Sequence, residues 1–290
     1  SDAIPSESRN HSSMMITYQG ENILIDCGEG TQRQFRKAGL NPCKITKILI
    51  THWHGDHVLG LPGILQTLAL SGYSRNLEIY GPKGTKNFMA KLLETFLFQN
   101  KFPMKIFELD KEGKFYENND FYLETNWMTH GPPCNAYNFV IKEQVKIDKK
   151  KLKKFKLPQG IHLKNLKLGK DIEFNGKKYK AKDLIFKSPH KKISIVMDTS
   201  YNNKIVSFAK NADLLVIESS FASDLKDKAK EYGHMTSQQS AEGAKKAGVK
   251  KLVLTHVSQR YENNFNVILK EAKKVFKNVS IAKDFDVFEV

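Results

Sequence analysis

The chain has 290 residues, 40% hydrophobic and 27% charged, which is long enough for one α/β domain and apolar enough to pack a core. No run of about 18 apolar residues occurs, excluding a helical membrane span, and residues 1–10 lack the basic and apolar regions of a signal peptide. The net charge is +16, and thirteen of those charges fall between Lys142 and Lys192, a concentration that points to a polyanionic partner.

In chain order, short apolar runs alternate with helical patterns, the signature of a layered α/β fold. Residues 15–18 and 23–25 read as paired strands joined by the turn Gln19-Gly20-Glu21-Asn22. A helix is expected over 31–38 with Gly39 as its C-cap, then a buried strand at 48–50, a helix over 59–70 and a strand at 77–80. The Gly81-Pro82-Lys83-Gly84 turn precedes another helical stretch at 86–97, and strand-like pieces follow to residue 141. Residues 146–187 break the pattern: lysines cluster among Pro158, Gly160, Gly169 and Gly176, with too little periodic apolar content for a compact core. This stretch is expected to project from a single domain as an inserted arm. Apolar stretches resume at 193–197, 205–209 and 214–217, with helices over 237–247 and 265–276 and strands at 251–255 and 279–281. No repeat of solenoid period is present. Three cysteines (Cys27, Cys43, Cys134), none in CxxC spacing, make no disulfide framework and suit a reducing, cytoplasmic setting.

The chemistry concentrates in Thr51-His52-Trp53-His54-Gly55-Asp56-His57, directly after the 48–50 strand. Four imidazole and carboxylate donors within six residues form a metal-ligating run of zinc type, with Gly55 expected to turn the backbone so that they converge. One catalytic zinc takes about three protein ligands, and three more donors follow apolar strands: His130, Asp198 and His256. Seven donors with one shared carboxylate suit two metal ions a few ångströms apart, an arrangement that holds both oxygens of a phosphoryl displacement.

With these residues in view, the chain resembles the metallo-β-lactamase superfamily, whose fold is an αββα sandwich, and within it the ribonuclease Z family of tRNA 3′-trailer endonucleases. The narrower likeness rests on the stretch from Leu24 through Asp26-Cys27-Gly28-Glu29-Gly30 to Gln34, on Tyr80-Gly81-Pro82-Lys83-Gly84, and on Glu218 with His234-Met235-Thr236-Ser237-Gln238-Gln239. Leu254-Thr255-His256-Val257-Ser258-Gln259-Arg260-Tyr261 closes the set. Within the insertion, Leu157-Pro158-Gln159-Gly160 and Leu166-Lys167-Leu168-Gly169-Lys170 are similar to the family's tRNA-gripping arm. Two departures stand out: Glu7 occupies a position where many bacterial members carry Lys, and Ser200 one where Arg is frequent.

The resemblance implies that His52, His54 and His130 hold one zinc, Asp56, His57 and His256 the other, and that Asp198 bridges them; manganese or iron would also suit these donors. It implies Asp56 as the residue that orients and deprotonates the attacking water, and His234, oriented by Glu218, as general acid for the leaving 3′-oxygen. His11, His162 and His190 match no motif and are expected at the surface. RNA contacts are expected from Arg9 and Asn10 near the cleavage site and from Lys149, Lys150, Lys151, Lys153, Lys154, Lys167 and Lys170 of the arm, through phosphate neutralisation. The partners implied are precursor tRNA and a second copy of the chain, with no membrane. Two other readings share part of this evidence. A small-molecule hydrolase of the same fold (phosphodiesterase or thioesterase) has no use for the basic arm, and a purely RNA-binding protein has no use for seven metal donors.

Overall fold

Strands that are apolar at every position need cover on both faces, and the first of them sets the plan of the molecule. The computed structural model describes residues 1–98, 101–158 and 160–290; Gln159, named above in the arm, lies outside the described residues. Strands β1 (Met14–Tyr18) and β2 (Glu21–Ile25) form a hairpin in which Tyr18 already pairs with Glu21. The turn is shorter than the expected four residues because Gln19 and Gly20 both adopt positive φ, 47° and 87°, the requirement of a tight two-residue connection. Along β2, Ile23 and Ile25 join one buried cluster while Leu24 joins another on the opposite face.

Helix α1 (Thr31–Lys37) leads to β3 (Lys47–Leu49), followed by α2 (Gly55–Val58), α3 (Leu61–Leu70), β4 (Leu77–Gly81), α4 (Thr85–Thr95) and β5 (Met104–Glu108). The helix expected over 59–70 is α3, which starts at Leu61 with Pro62 in its first turn, where the missing N–H breaks no helical bond; the one-turn α2 ahead of it is an addition to the sequence expectation. Strands β1 to β5 form one sheet in chain order, parallel from β2 onward.

The second sheet begins with the antiparallel β6 (Gly113–Glu117), β7 (Phe121–Met128) and β8 (Cys134–Ile141). The chain then leaves the sandwich. Strand β9 (Gln144–Ile147) pairs antiparallel with β12 (Ile185–Ser188) as a two-stranded stalk. Between them lie α5 (Lys149–Lys154), α6 (Leu163–Lys167), the hairpin β10 (Ile172–Phe174) and β11 (Lys177–Tyr179), and α7 (Ala181–Leu184). Contrary to the sequence expectation, this limb has a core of its own: Leu152, Leu157, Leu163, Leu166, Ile172, Ala181 and Leu184 are buried together. Its helices are one or two turns long, so the lysines around each leucine mask the apolar spacing.

Back in the sheet, β13 (Lys191–Val196) lies antiparallel to β8 and parallel to β14 (Leu214–Glu218), which is followed by β15 (Leu252–Thr255) and β16 (Val279–Ile281). Helices α8 (Asn203–Phe208), α9 (Lys226–Glu231), α10 (Ser237–Ala247) and α11 (Asn266–Val275) complete this half. α10 spans the expected residues: Thr236 and Gln239 form a reciprocal capping box, and Gly248 at φ 67° ends it in the left-handed conformation. Ile23, Leu49, Tyr137, Ile195, Val216 and Val253 fill the space between the sheets. Alternate residues such as Ile48 and Ile50, or Leu215 and Leu252, face the outer helices. The result is helices, sheet, sheet, helices, with β3, β14 and β15 delivering their C-terminal ends to one edge of the sandwich.

Candidate metal centre

The loop after β3 winds one helical turn, α2, and carries Asp56 and His57 inward. Close backbone packing sets its position. A Cβ on Gly28 would lie 2.3 Å from the Asp56 carbonyl, and one on Gly60 would lie 2.2 Å from the carbonyl of Gly28. The backbone passes from extended at His54 into α2 at Gly55, where a Cβ would stand 3.0 Å from the Leu59 side chain.

Onto this loop converge three residues from the other sheet: His130 just after β7, Asp198 just after β13 and His256 just after β15. Donor atoms of His52, His54, His130 and Asp198 form one tight group and those of Asp56, His57, Asp198 and His256 another. In the first, His54 Nδ1 lies 3.1 Å from His52 Nε2 and 3.3 Å from His130 Nε2, and Asp198 Oδ2 is 3.5 Å from His52 Nε2. In the second, Asp198 Oδ1 is 3.5 Å from His57 Nε2 and 3.3 Å from His256 Nε2, while Asp56 Oδ2 is 3.1 Å from His256 Nε2. Each oxygen of Asp198 thus serves a different group.

The electrostatics favour cations here. Asp26, Asp56, Asp198 and Glu218 are all buried, and among the described residues none pairs with Lys or Arg; their close charged partners are histidines. Buried carboxylates with no cationic side chain call for another source of positive charge. Burial, with the charge of His57 beside it, pulls His52 down to about 2, and burial also lowers His130, so both present unprotonated nitrogens. Burial works against ionisation of Asp56 and Asp198 as well, yet neighbouring His57 and His256 hold both below the usual carboxylate range. Burial opposes a proton on His57 too, but Asp198 and Asp26 raise it well above its ordinary value. This donor set fits divalent metal ions.

Further partners aim the ligands. Asp26, at the end of β2, accepts from His57 Nδ1 at 2.7 Å and from Thr51 N and Oγ1, each at 2.8 Å. Thr51 Oγ1 also lies 3.1 Å from His52 Nδ1, Gly233 O accepts from His130 Nδ1 at 3.0 Å, and Ser220 Oγ lies 3.1 Å from His256 Nδ1. Asp26 (φ 55°) and His256 (φ 53°) both hold left-handed backbone, strain that the surrounding bonds sustain. Sequence reasoning missed Asp26, although the rule that found Asp198, a carboxylate after an apolar strand, applies to it equally. Thr51, Ser220 and the Gly233 carbonyl carried no such signal.

Beside the cluster, Glu218 Oε1 accepts from His234 Nδ1 at 3.0 Å, and the same wholly buried carboxylate accepts from Thr199 N, Met235 N and Ser220 Oγ. Burial depresses His234, but the charge of Glu218 and this hydrogen bond outweigh it and raise the imidazole to about 9. Its ring stands 5.4 Å from that of His256 and 5.2 Å from that of His130.

Some expectations change. Arg9 is buried, its guanidinium bonded to the Ala282 carbonyl and stacked over Phe265, and Asn10 donates to Glu29 O while its backbone N–H is held by Asp284. Both are tied into the protein rather than turned toward an RNA end. His11 is buried against Gly28 instead of lying at the surface, and burial lowers it. His162 is half-buried in the limb, stacked on Phe174, and His190 is exposed. Cys134 donates to Asp198 O, and burial pushes its thiol well up, leaving it no nucleophile. Lys149, Lys150, Lys151, Lys153, Lys154, Lys167 and Lys170 are all exposed on the limb.

A family model described as the anti-Pycsar protein Apyc1 matches residues 2–257. A Ribonuclease Z of Bacillus cereus is 38% identical over 296 residues, 99% of this chain and 96% of that protein, and the Bacillus anthracis Ribonuclease Z is as similar over the same share. Among solved structures, the short form of human tRNase Z aligns with a TM-score of 0.71 at 30% identity, over 99% of this chain and 95% of that one. The Bacillus subtilis metallo-beta-lactamase fold protein YhfI aligns at a TM-score of 0.68 with 20% identity, over 98% and 93%.

Proposed function

Because the chain belongs to the ribonuclease Z family and, over residues 2–257, to the family described by the Apyc1 model, we propose that it is a metal-dependent endoribonuclease that removes the 3′ trailer from tRNA precursors and leaves a 3′-hydroxyl on the tRNA. Its sandwich is the metallo-β-lactamase fold. The observation that carries the reading is Asp198, shared between two donor groups beside the Glu218–His234 pair. His52, His54 and His130 would hold one cation and Asp56, His57 and His256 the other, with Asp198 available to both; zinc is the ion these donors favour, with manganese or iron also suited. Such cations would supply Lewis acidity toward the phosphodiester and lower the pKa of water toward neutrality.

The chain's own residues do the rest. Asp56, ionised and held by His256, orients the attacking water and accepts its proton. Glu218 takes the Nδ1 proton of His234 in a hydrogen bond, fixing the tautomer and sustaining the charged ring, so that Nε2–H is the proton delivered to the leaving 3′-oxygen. The exposed lysines of the limb neutralise phosphates of the tRNA body without reading its sequence. The enzyme works as a homodimer in the cytoplasm on this reading; no helix among the described residues is long and apolar enough to cross a membrane.

The test is incubation with a 3′-extended tRNA precursor and zinc. Cleavage beside the discriminator base, with a free 3′-hydroxyl on the tRNA, is the expected result. Turnover of a small phosphodiester or thioester while the precursor stays intact would replace this reading with the small-molecule one.

A further inference from the structure

Tyr80-Gly81-Pro82-Lys83-Gly84 contributes no donor to the metal cluster, yet it is tied to it through Trp53, the residue between His52 and His54. The link runs through Thr85, the first residue of α4 and wholly buried. Thr85 packs so tightly against Gly81 that a Cβ there would lie 2.4 Å from its Oγ1. Its hydroxyl donates to Pro82 O at 2.7 Å, which leaves a lone pair to accept from the indole Nε1–H of Trp53 at 2.9 Å. The turn bearing Thr85 is itself fixed, because Glu108 Oε1 accepts from Gly84 N at 3.1 Å and from Lys86 N at 2.9 Å. The indole also lies against Phe88 of the same helix, ring centroids 5.1 Å apart.

The two donor groups share Asp26, which accepts from His57 and holds Thr51 against both His52 Nδ1 and His57 Nδ1, but beyond it their supports differ. Ser220 aims His256, on one side. On the other, the backbone between His52 and His54 is pinned by an indole whose polar end meets a buried acceptor of fixed direction. A side chain so anchored sets the position of the residues flanking it, and supporting hydrogen bonds of this kind tune metal affinity. We propose that Trp53 and Thr85 are positioning residues for the cation held by His52, His54, His130 and Asp198, setting its affinity separately from that of the cation at Asp56, His57 and His256. The proposal rests on the two-cation reading above.

Thr85→Val keeps the shape and deletes the hydroxyl, Thr85→Ser keeps the hydroxyl, and Trp53→Phe keeps a packed ring and deletes the donor, so it tests the bond even if the valine variant folds poorly. Stepwise zinc binding is measured by competition with a chromophoric chelator, together with metal content and the unfolding midpoint of the metal-free proteins. The wild-type chain should take up two ions. Thr85→Val and Trp53→Phe should each weaken one of the two steps by about tenfold or more and leave the other within about twofold, with Thr85→Ser restoring the wild-type pattern. Two ions on the wild type, with both steps unchanged or equally weakened in the variants, would overturn the proposal alone. Fewer than two ions on the wild-type chain would overturn the two-cation reading and this proposal with it.

Discussion

His234 and Asp26 show two different ways a side chain serves the same cavity. On the proposed reading His234, held by Glu218, lends a proton to the leaving group, so His234→Ala should lower kcat by about 10² to 10⁴-fold while leaving the metal content of the protein unchanged. Asp26 touches no substrate on this reading; it aims His57 and secures Thr51. Asp26→Asn should weaken metal binding by about 10 to 100-fold, read by chelator competition, and excess zinc should recover much of the lost rate. The donors themselves were legible because His52, His54, Asp56 and His57 crowd into six residues, a density no packing requirement produces. Asp26 was visible only by rule, and Thr51 and Ser220 not at all: their roles depend on which side of a loop faces the cavity. Arg9 misled for the opposite reason, since a guanidinium stacked on Phe265 and one waiting for phosphate are the same letter in a sequence.

Asp213 shows how an element is fastened at its edge. It immediately precedes β14 and accepts from Lys192 N at 2.9 Å and Lys250 Nζ at 2.8 Å, so one carboxylate fastens the starts of three neighbouring segments. Burial opposes its ionisation, but these bonds and the charges of Lys191 and Lys250 hold it below the usual carboxylate range. A depressed carboxylate stabilises the fold above its unfolded pKa of about 3.9, and the contribution fades as pH falls through the native value. Asp213→Asn should therefore cost about 1 kcal/mol at pH 7, discounted for the exposure of Lys250, with the gap to wild type closing in thermal melts toward pH 2. At this scale the sequence was most readable where strands are buried on both faces, as in Ile23-Leu24-Ile25. It was least readable where an element is one turn long: α2 hides within the ligand run, and the leucines of α5 and α6 hide among lysines.

The whole molecule joins a sandwich that holds the chemistry to a limb that holds the charge. Removing residues 146–187 should weaken cleavage of a tRNA precursor strongly and spare a small phosphodiester. The salt dependence of precursor binding should flatten as well, in proportion to the number of phosphates the limb neutralises. Equal loss on both substrates would assign the limb to supporting the fold. The limb leaves and rejoins the sheet through a single ribbon, Gln144–Ile147 against Ile185–Ser188, and its leucines pack on one another rather than on the sandwich. A part attached in that way is a detachable fitting. Its length or charge could be altered at two neighbouring points of the chain without disturbing the packing of the sandwich or the cluster at its edge.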